Sequence, residues 1–565
     1  MTQKEQWWKN AVVYQVYPRS FQDSNGDGIG DLKGVEERLP YLQKLGIDVI
    51  WLSPIYQSPM DDNGYDISDY YQIDPVFGTS TDMDRLIEEA GKRGIRILLD
   101  LVVNHCSDEH VWFRRACEDE NSKEAGYFYF RRTEGDEAPN NWRSNFGGSV
   151  WSRLADGRWY YHTFSPKQPD LNWENPRLRQ EIYRMVNWWL QKGIAGFRVD
   201  AITFIKKDLS FASVETADQN LYPVENFENY PGIEAFLSEL KRETFDKYDC
   251  FTVAEAPGVA EEDFAKYAGE DGFFSMIFDF GWESMEGEED KASVEAIERL
   301  KKRLFDSQRF ISRYGWCGTF LENHDQARCL NRYLDQKDRN RYSASALATL
   351  YFFLYGTPYI YEGQEIGMEN PAWASLDELK DTRARITCRE RLKQGQTEEE
   401  VLEYFSAWGR DNARTPMQWD DSENAGFTKG SPWMKVRDDY REVNVEKQWK
   451  EPASLLLYYQ KLIRLRKEAL QDVMIHGSFA PILEAEEGVI AYQRIAGDNV
   501  LSVVVNMVNQ KHTLPIESGK GLPYDMPGTV LLLNNYEEII RTDEGLLLQP
   551  YQALVIQHKQ TGSNA

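Results

Sequence analysis

Gly196-Phe197-Arg198-Val199-Asp200 lies in the first half of a 565-residue chain and reads as a short buried strand that ends on a cation and a carboxylate. Residues i and i+2 of a strand share a face, so Arg198 and Asp200 are expected to emerge side by side. A fixed cation favours the ionised form of a neighbouring carboxyl, and a positioned carboxylate can act as a nucleophile. The same pair could equally be a structural ion pair closing a strand, since such pairs also perturb titration. The surrounding chain decides between them.

Upstream, strand signals at residues 12–18, 49–52 and 95–103 alternate with helical periodicity at residues 32–45, where Leu32, Val35, Leu39, Leu42 and Leu45 repeat, and at residues 83–93. The third strand is a nearly continuous apolar run, as buried parallel strands require. A helix over residues 176–191 leads into the central pentapeptide. Further strands are expected at residues 251–254, 276–280, 318–321 and 358–361, with helices at 232–245, 294–312 and 341–355 between them. Eight strand–helix units are the count for a closed (β/α)8 barrel of the α/β class. The rhythm breaks between residues 106 and 172, a stretch too long for a loop in a compact domain and rich in Asn, Gly, Arg, Trp and Tyr. It is expected to form a small inserted domain with short strands such as that in residues 159–164. Beyond about residue 475 alternating strands appear at 489–494, 500–506, 530–533 and 553–557, an antiparallel sandwich. The expected division is a barrel over 1–105 and 173–474, an insert over 106–172 and a C-terminal sandwich over 475–565.

Composition narrows the function. With 65 Lys and Arg against 92 Asp and Glu, the net charge is −27, a field that repels phosphate backbones and anionic membranes and so argues against nucleic-acid binding. No apolar run reaches about 18 residues, so no transmembrane helix is expected. The first ten residues, MTQKEQWWKN, show no apolar core of a signal peptide. Six cysteines at 106, 117, 250, 317, 329 and 388 lack CxxC spacing, which argues against zinc or a disulfide framework and fits a reducing, cytoplasmic location. A monomer or weak dimer is expected. Seventeen Trp, 31 Tyr and 27 Phe suit large cores or stacking on sugar rings.

Barrel active sites lie at strand C-termini. The polar residues expected there are Asp100 with Asn104-His105, Arg198 with Asp200, Glu255, Asn323-His324-Asp325, and Glu362 with Glu365. No lysine stands at a strand end for a Schiff base, and no Gly-rich phosphate loop is present. Paired Asp and Glu residues flanking a bond are what acid–base glycoside cleavage uses.

These segments resemble a known family. Asp100-Leu101-Val102-Val103-Asn104-His105, Gly196-Phe197-Arg198-Val199-Asp200, Thr252-Val253-Ala254-Glu255 and Asn323-His324-Asp325 look like the four signature regions of the α-amylase family, glycoside hydrolase family 13, in the right order. Gly64-Tyr65-Asp66, Gln168-Pro169-Asp170-Leu171-Asn172 and Gly363-Gln364-Glu365-Ile366-Gly367 are similar to further family segments, and the resemblance runs over residues 8–557. It implies a retaining mechanism on an oligosaccharide substrate, with Asp200 as nucleophile, Glu255 as acid and then base, and Asp325 gripping ring hydroxyls. His105 and His324 would donate to the same sugar, Arg198 would keep Asp200 ionised, and Tyr65 would stack under the ring. Asp100 would be largely structural.

Asp62-Asn63-Gly64-Tyr65-Asp66, Gln168 to Asn172 and Ala413-Arg414-Thr415-Pro416-Met417-Gln418-Trp419 resemble the oligo-1,6-glucosidase subfamily. That likeness implies a blind pocket that removes single glucose units from the non-reducing end, with Asp62 and Arg414 binding the terminal glucose and Phe146, Phe164 and Gln168 lining it. Each Phe could equally be domain core. Strict α-1,6 relatives tend to carry Val after the nucleophile, whereas Ala201 looks more like α-1,4-active or mixed relatives, a difference of about 1–3 kcal/mol in discrimination. Ala256-Pro257 and Glu322 also depart from the commonest patterns. The alternatives are a sucrose isomerase or other transglucosylase using the same glucosyl-enzyme, and a non-enzymatic carbohydrate-binding relative, which would lack Asp200 or Glu255. Blind-pocket residues disfavour an endo-amylase, and no phosphate-binding cluster marks a trehalose-6-phosphate hydrolase.

Asp23-Ser24-Asn25-Gly26-Asp27-Gly28-Ile29-Gly30-Asp31 places oxygen side chains at alternate positions with glycines between. Its first six positions match the start of an EF-hand loop, but Gly34 stands where the loop's closing glutamate belongs and Asp31 is the available substitute. A solvated acidic turn is the alternative, and four ligand-type residues in nine favour a divalent site over it. The loop also resembles the calcium loop of oligo-1,6-glucosidases, which implies a structural Ca2+ held by Asp23, Asn25, Asp27, the Ile29 carbonyl and Asp31.

Overall fold

The computed structural model describes residues 6–216, 221–282, 285, 288, 290–515 and 528–559; the outer ends of the first and last expected domains lie outside them. Eight strands close a barrel: β1 (Val13–Val16), β2 (Val49–Leu52), β3 (Arg96–Val102), β4 (Gly196–Asp200), β5 (Phe251–Ala254), β6 (Met276–Phe278), β7 (Cys317–Thr319) and β8 (Thr357–Tyr361). Each pairs in parallel with its neighbours, and β8 closes on β1.

Side chains inside the barrel change character along the strands. Val13, Val49, Leu98, Phe251, Met276 and Tyr359 form an apolar floor around Trp51, Phe278 and Trp316. Two residues further along, on the same inward face, Gln15 follows Val13 and Asp100 follows Leu98. On β4 the series is Gly196, Arg198, Asp200. The register sets Arg198 opposite Asp100 on β3 and Val253 on β5, so the charged layer lies directly above a dry one.

One expected helix is two. Residues 32–45 form helices Leu32–Glu37 and Leu39–Leu45, which meet at Arg38. Pro40 has no N–H to donate and its ring crowds the preceding turn, so the apolar period continues across a break. The helix expected at 83–93 begins earlier, as Ser80–Lys92, because Thr79 and Asp82 form a reciprocal capping box.

The insert contains helix Val111–Glu118 and a three-stranded antiparallel sheet of Phe130–Arg131, Trp159–Tyr161 and Trp151–Arg153. Its aromatic core, with Tyr129, Trp142, Trp151 and Tyr161, is completed by Phe204, Phe211 and Val224 from the segment after β4. Trp142–Arg143 also pairs with Tyr222–Pro223. Buried Asp170 ties the parts together, accepting from the Thr163 N–H at 2.8 Å and pairing with Lys207 at 2.6 Å.

The C-terminal part consists of two antiparallel sheets, five-stranded and three-stranded. Fully buried Arg494 binds it to the barrel by donating to the carbonyls of Leu354, Met474 and Gly477. Arg466, also fully buried, fastens the helical segment that leads into these sheets to the carbonyls of Lys9 and Gly356. No helix among the described residues is long and apolar enough to cross a membrane, and all six cysteines are free.

Gly196 starts β4 at φ +141°, and a Cβ there would run into the Phe251 carbonyl of β5. Gly196→Ala is therefore expected to cost at least about 3 kcal/mol in strain and overpacking together. Thermal unfolding followed by circular dichroism checks it; a midpoint equal to that of the native sequence would show that the strand pair gives way without cost.

Candidate active site

Arg198 is the centre of the charged layer. Its Nη1 lies 2.7 Å from Asp100 Oδ1 and 2.5 Å from Asp200 Oδ1, and its Nη2 lies 2.8 Å from Glu255 Oε2. Asp100 is held from behind by Trp51 Nε1 at 2.8 Å. It is wholly buried and serves Arg198, as expected of a structural residue. The Ala201 N–H donates to Glu255 Oε2 at 3.1 Å from a left-handed backbone with φ +42°. Both candidate reacting carboxylates are thus gathered on one guanidinium, an arrangement suited to the close pairing, about 5–5.5 Å, of retaining glycosidases.

Burial pushes the Asp200 carboxyl up to about 6, with Arg198 working against it. The expectation that Arg198 alone sets its state is therefore incomplete, although about 6 still leaves Asp200 mostly ionised at neutral pH. Burial pushes Glu255 further, to about 7, opposed by Arg198 and reinforced by Asp200 and Asp325. Asp325 goes the other way. Burial would raise it, but His324, Arg410, Arg414 and Arg198 hold it well below the usual carboxylate range. Burial also pushes His324 down to about 3, so that ring is neutral at pH 7 and the arginines carry the effect.

Asp200, Glu255 and Asp325 open into a cavity of about 210 Å³ that Asp62, Tyr65, His105, Phe146 and Phe164 also line. This volume is smaller than the roughly 300–1,000 Å³ of common ligand pockets and suits one sugar unit. His105, pushed by burial to about 4 and hence neutral, has Nε2 3.2 Å from both the Tyr65 carbonyl and Gln168 Nε2.

Four expected site residues stand behind this lining. Gln168 donates to Asp62 Oδ2 at 3.1 Å. Arg198 holds the carboxylates as described. His324 receives Gln15 Nε2 on Nδ1 at 2.7 Å, so its proton belongs on Nε2, 2.7 Å from the Tyr65 hydroxyl and 3.2 Å from Asp325 Oδ2. Its ring stacks on Tyr65 at 5.3 Å. It positions Tyr65 and Asp325, and the direct donation to sugar expected of it has no opening in this arrangement. Arg414 donates to Asp325 Oδ1 at 2.8 Å and the His324 carbonyl at 2.9 Å.

Where Arg414 was expected to meet the glucose, Arg410 stands. Its Nη2 lies 3.1 Å from Asp62 Oδ1 and its Nη1 3.1 Å from Asp325 Oδ1, and it also pairs with Asp381. The sequence held a signal for it: Arg410 precedes Arg414 by four residues, a spacing that puts two side chains on one face of a helical turn. Ala201 and Pro257, which the sequence had marked as departures from the commonest patterns, are on the lining, and Asn145, Phe204, Glu228 and Arg383, which no local pattern marked, complete it. Glu362 and Glu365 are not in the pocket. Glu362 accepts the Tyr17 N–H at 2.8 Å, and Glu365 accepts the Tyr14 and Tyr41 hydroxyls at 2.7 and 2.5 Å.

In the glycine-rich loop, Asp23 accepts the N–H groups of Asn25, Gly26 and Gly28 at 2.9, 2.7 and 2.8 Å, and Asn25 and Asp27 accept those of Asp27 and Ile29. Asp31 divides its oxygens between the Gly34 N–H, where it caps a helix, and Ser24. Among the described residues no group of three or more His, Cys, Asp or Glu side chains gathers as a metal site.

A family model described as the alpha amylase catalytic domain matches residues 15–477. The oligo-1,6-glucosidase of Bacillus cereus is 42% identical over 98% of this chain and 100% of its own length. The trehalose-6-phosphate hydrolase of Bacillus subtilis (strain 168) is 38% identical over 98% of each chain. The crystal structure of the isomaltulose synthase SmuA from Protaminobacter rubrum superposes with a TM-score of 0.89 at 35% identity, covering 99% of this chain and 100% of that one. Sequence, barrel and strand-end carboxylates agree: the chain belongs to the α-amylase family, glycoside hydrolase family 13.

Proposed function

We propose that the protein is a retaining, exo-acting α-glucosidase that releases glucose from the non-reducing end of short α-1,6- and α-1,4-linked gluco-oligosaccharides. The observation that carries this is one guanidinium, that of Arg198, holding Asp200 and Glu255 on the lining of a one-sugar cavity. Asp200 attacks the anomeric carbon while Glu255 delivers its proton to the glycosidic oxygen, and the leaving sugar departs as an alcohol. The resulting glucosyl ester on Asp200 is cleaved by water, from which Glu255 now takes a proton. Asp62, Arg410 and Asp325 form the charged wall that meets the glucose hydroxyls, and His105 and Tyr65 flank it. The likeness to oligo-1,6-glucosidases supports α-1,6 substrates, and the small Ala201 on the pocket lining supports α-1,4 substrates as well. Six free cysteines favour a reducing, cytoplasmic setting, and a monomer or weak dimer is our reading of its assembly.

We also propose that the loop 23–31 takes a structural Ca2+. Side-chain oxygens of Asp23, Asn25 and Asp27 and the Ile29 carbonyl are the hard donors Ca2+ prefers. Asp31, already shared between a helix cap and Ser24, would join as the least free of the five. The loop is held against the 427–433 segment by Asp23 N–H to the Phe427 carbonyl at 3.0 Å and Trp433 N–H to the Gly28 carbonyl at 3.0 Å, so an ion there would fasten two distant parts of the chain.

Product analysis is the direct test: glucose is expected from isomaltose, isomaltotriose and maltose, whereas an isomer from sucrose with little free glucose would make the enzyme a transglucosylase. Asp200→Asn is expected to lower turnover by ~10⁴-fold or more with the fold intact; near-native turnover would remove the nucleophile assignment. Asp200 must be ionised and Glu255 protonated, so kcat/KM is expected to fall below about 6 and above about 7, values that belong to the coupled pair. A profile flat to alkaline pH would contradict the role of Glu255. Chelation is expected to lower the thermal midpoint and added Ca2+ to restore it through linkage; an indifferent midpoint would leave the loop an acidic turn.

A further inference from the structure

The charged groups of the pocket fall into two sets. Asp62, Asp200, Glu255, Asp325 and Arg410 are all ion-paired with one another or with Arg198 and Arg414. Among the described residues, Glu228 and Arg383 are the pocket-lining charges whose side chains have neither an ion pair nor a hydrogen bond. Arg383 is exposed and Glu228 half-buried.

Glu228 is nonetheless placed with care. Its neighbour Asn229 takes a left-handed backbone, φ +51°, a conformation that costs energy outside glycine and clusters at functional sites. Asn229 is fixed on three sides. Its N–H donates to the Thr203 carbonyl at 2.9 Å, its Nδ2 donates to the Pro257 carbonyl at 3.1 Å, and its Oδ1 accepts the Tyr267 hydroxyl at 2.6 Å. Thr203 follows the nucleophile by three residues and Pro257 follows the acid by two. The strained turn therefore locks Glu228 to both reacting loops. Gly258, at φ +69°, leaves the room it needs, because a Cβ there would run into the Glu228 carboxylate.

We propose that Glu228, with Arg383 as its counterpart, binds the hydroxyls of the sugar on the leaving side of the scissile bond and so sets which linkages the enzyme cleaves; this rests on the glucosidase reading above. The saturated set serves the glucose that stays, and the unsatisfied pair is left for the unit that departs. A carboxylate that accepts and a guanidinium that donates suit the two kinds of hydroxyl contact. The ligand class is a neutral sugar, since an anionic group on that side would meet Glu228 and Glu255 together. Burial, Glu225 and Glu255 push the Glu228 carboxyl up to about 7, which agrees with a site finished only when a hydroxyl arrives.

The test compares kcat/KM for isomaltose and maltose with that for p-nitrophenyl α-glucoside, whose leaving group has no hydroxyls to bind. Glu228→Ala, which removes the carboxyl in either protonation state, and, as a second variant on an exposed side chain, Arg383→Gln are assayed on the acid side of the optimum, where Glu255 is protonated in every protein. The ratio of disaccharide to aryl glucoside is expected to fall by ~10-fold or more, the scale on which lost hydroxyl recognition shows. A ratio unchanged in both variants would overturn the inference while leaving the glucosidase reading intact. If the native protein released no glucose from either disaccharide, that reading would fail first and the inference with it.

Discussion

A single buried guanidinium facing three carboxylates sets the chemistry of this barrel. Arg198 touches Asp100, Asp200 and Glu255, so one positive charge is shared among three acids at the buried floor of the cavity. A lone cation cannot hold three carboxyls ionised where burial favours the neutral form. The outcome is graded rather than uniform, with Asp200 at about 6 and Glu255 at about 7. Divergent environments for two carboxyls are what assigns one the role of nucleophile and the other that of acid. The position of Arg198 follows from register, because β4 sets it opposite Asp100 directly above an apolar floor that offers it no other partner.

The second cluster is better supplied with cations, two for three aspartates. Arg410 and Arg414 together face Asp62, Asp325 and Asp381, and the cations hold Asp325 ionised far below its ordinary range. An acceptor that stays charged can receive sugar hydroxyls without itself exchanging protons. The labour is thus divided by position: Asp325 and Asp381 are held ionised by the arginines, whereas burial pushes Asp62 up to about 7 against Arg410, in the range of Asp200 and Glu255. His324 joins them physically, touching Tyr65 and Asp325 while remaining neutral.

Away from the pocket, the barrel is steadied by interactions that use charge differently. Arg466 and Arg494 spend their donors on carbonyls just past helix ends, such as Leu354, Gly356 and Gly477, where acceptors would otherwise be left unsatisfied. The insert is not an independent appendage either. Its aromatic core borrows Phe204, Phe211 and Val224 from the loop that follows Asp200, so the walls supplied by the insert and the strand that supplies Asp200 are packed as one body. That sharing was hidden from a linear reading because the segment after β4 has no strand or helix pattern of its own until Ile233–Glu243.

The sequence by itself determined the barrel and the order of its strands, through apolar runs of strand length and helical periods, and it put Asp200, Glu255 and Asp325 at strand ends. Two-residue spacing put Arg198 and Asp200 on one face, while the roles of the three acids came from resemblance to the family's signature segments. It also placed Asp62, Tyr65, His105, Phe146 and Phe164, through motifs whose residues are close in the chain. Tertiary structure alone decided which second-line residues face the pocket. It put Arg410 in front of Arg414, His324 behind Tyr65, Glu362 and Glu365 in the core, and Glu228 and Arg383 on the lining. The physical reason is distance along the chain. Asp62 and Arg410 are 348 residues apart, and which of two neighbouring arginines reaches the carboxylate depends on how separate loops pack, a quantity no local period encodes.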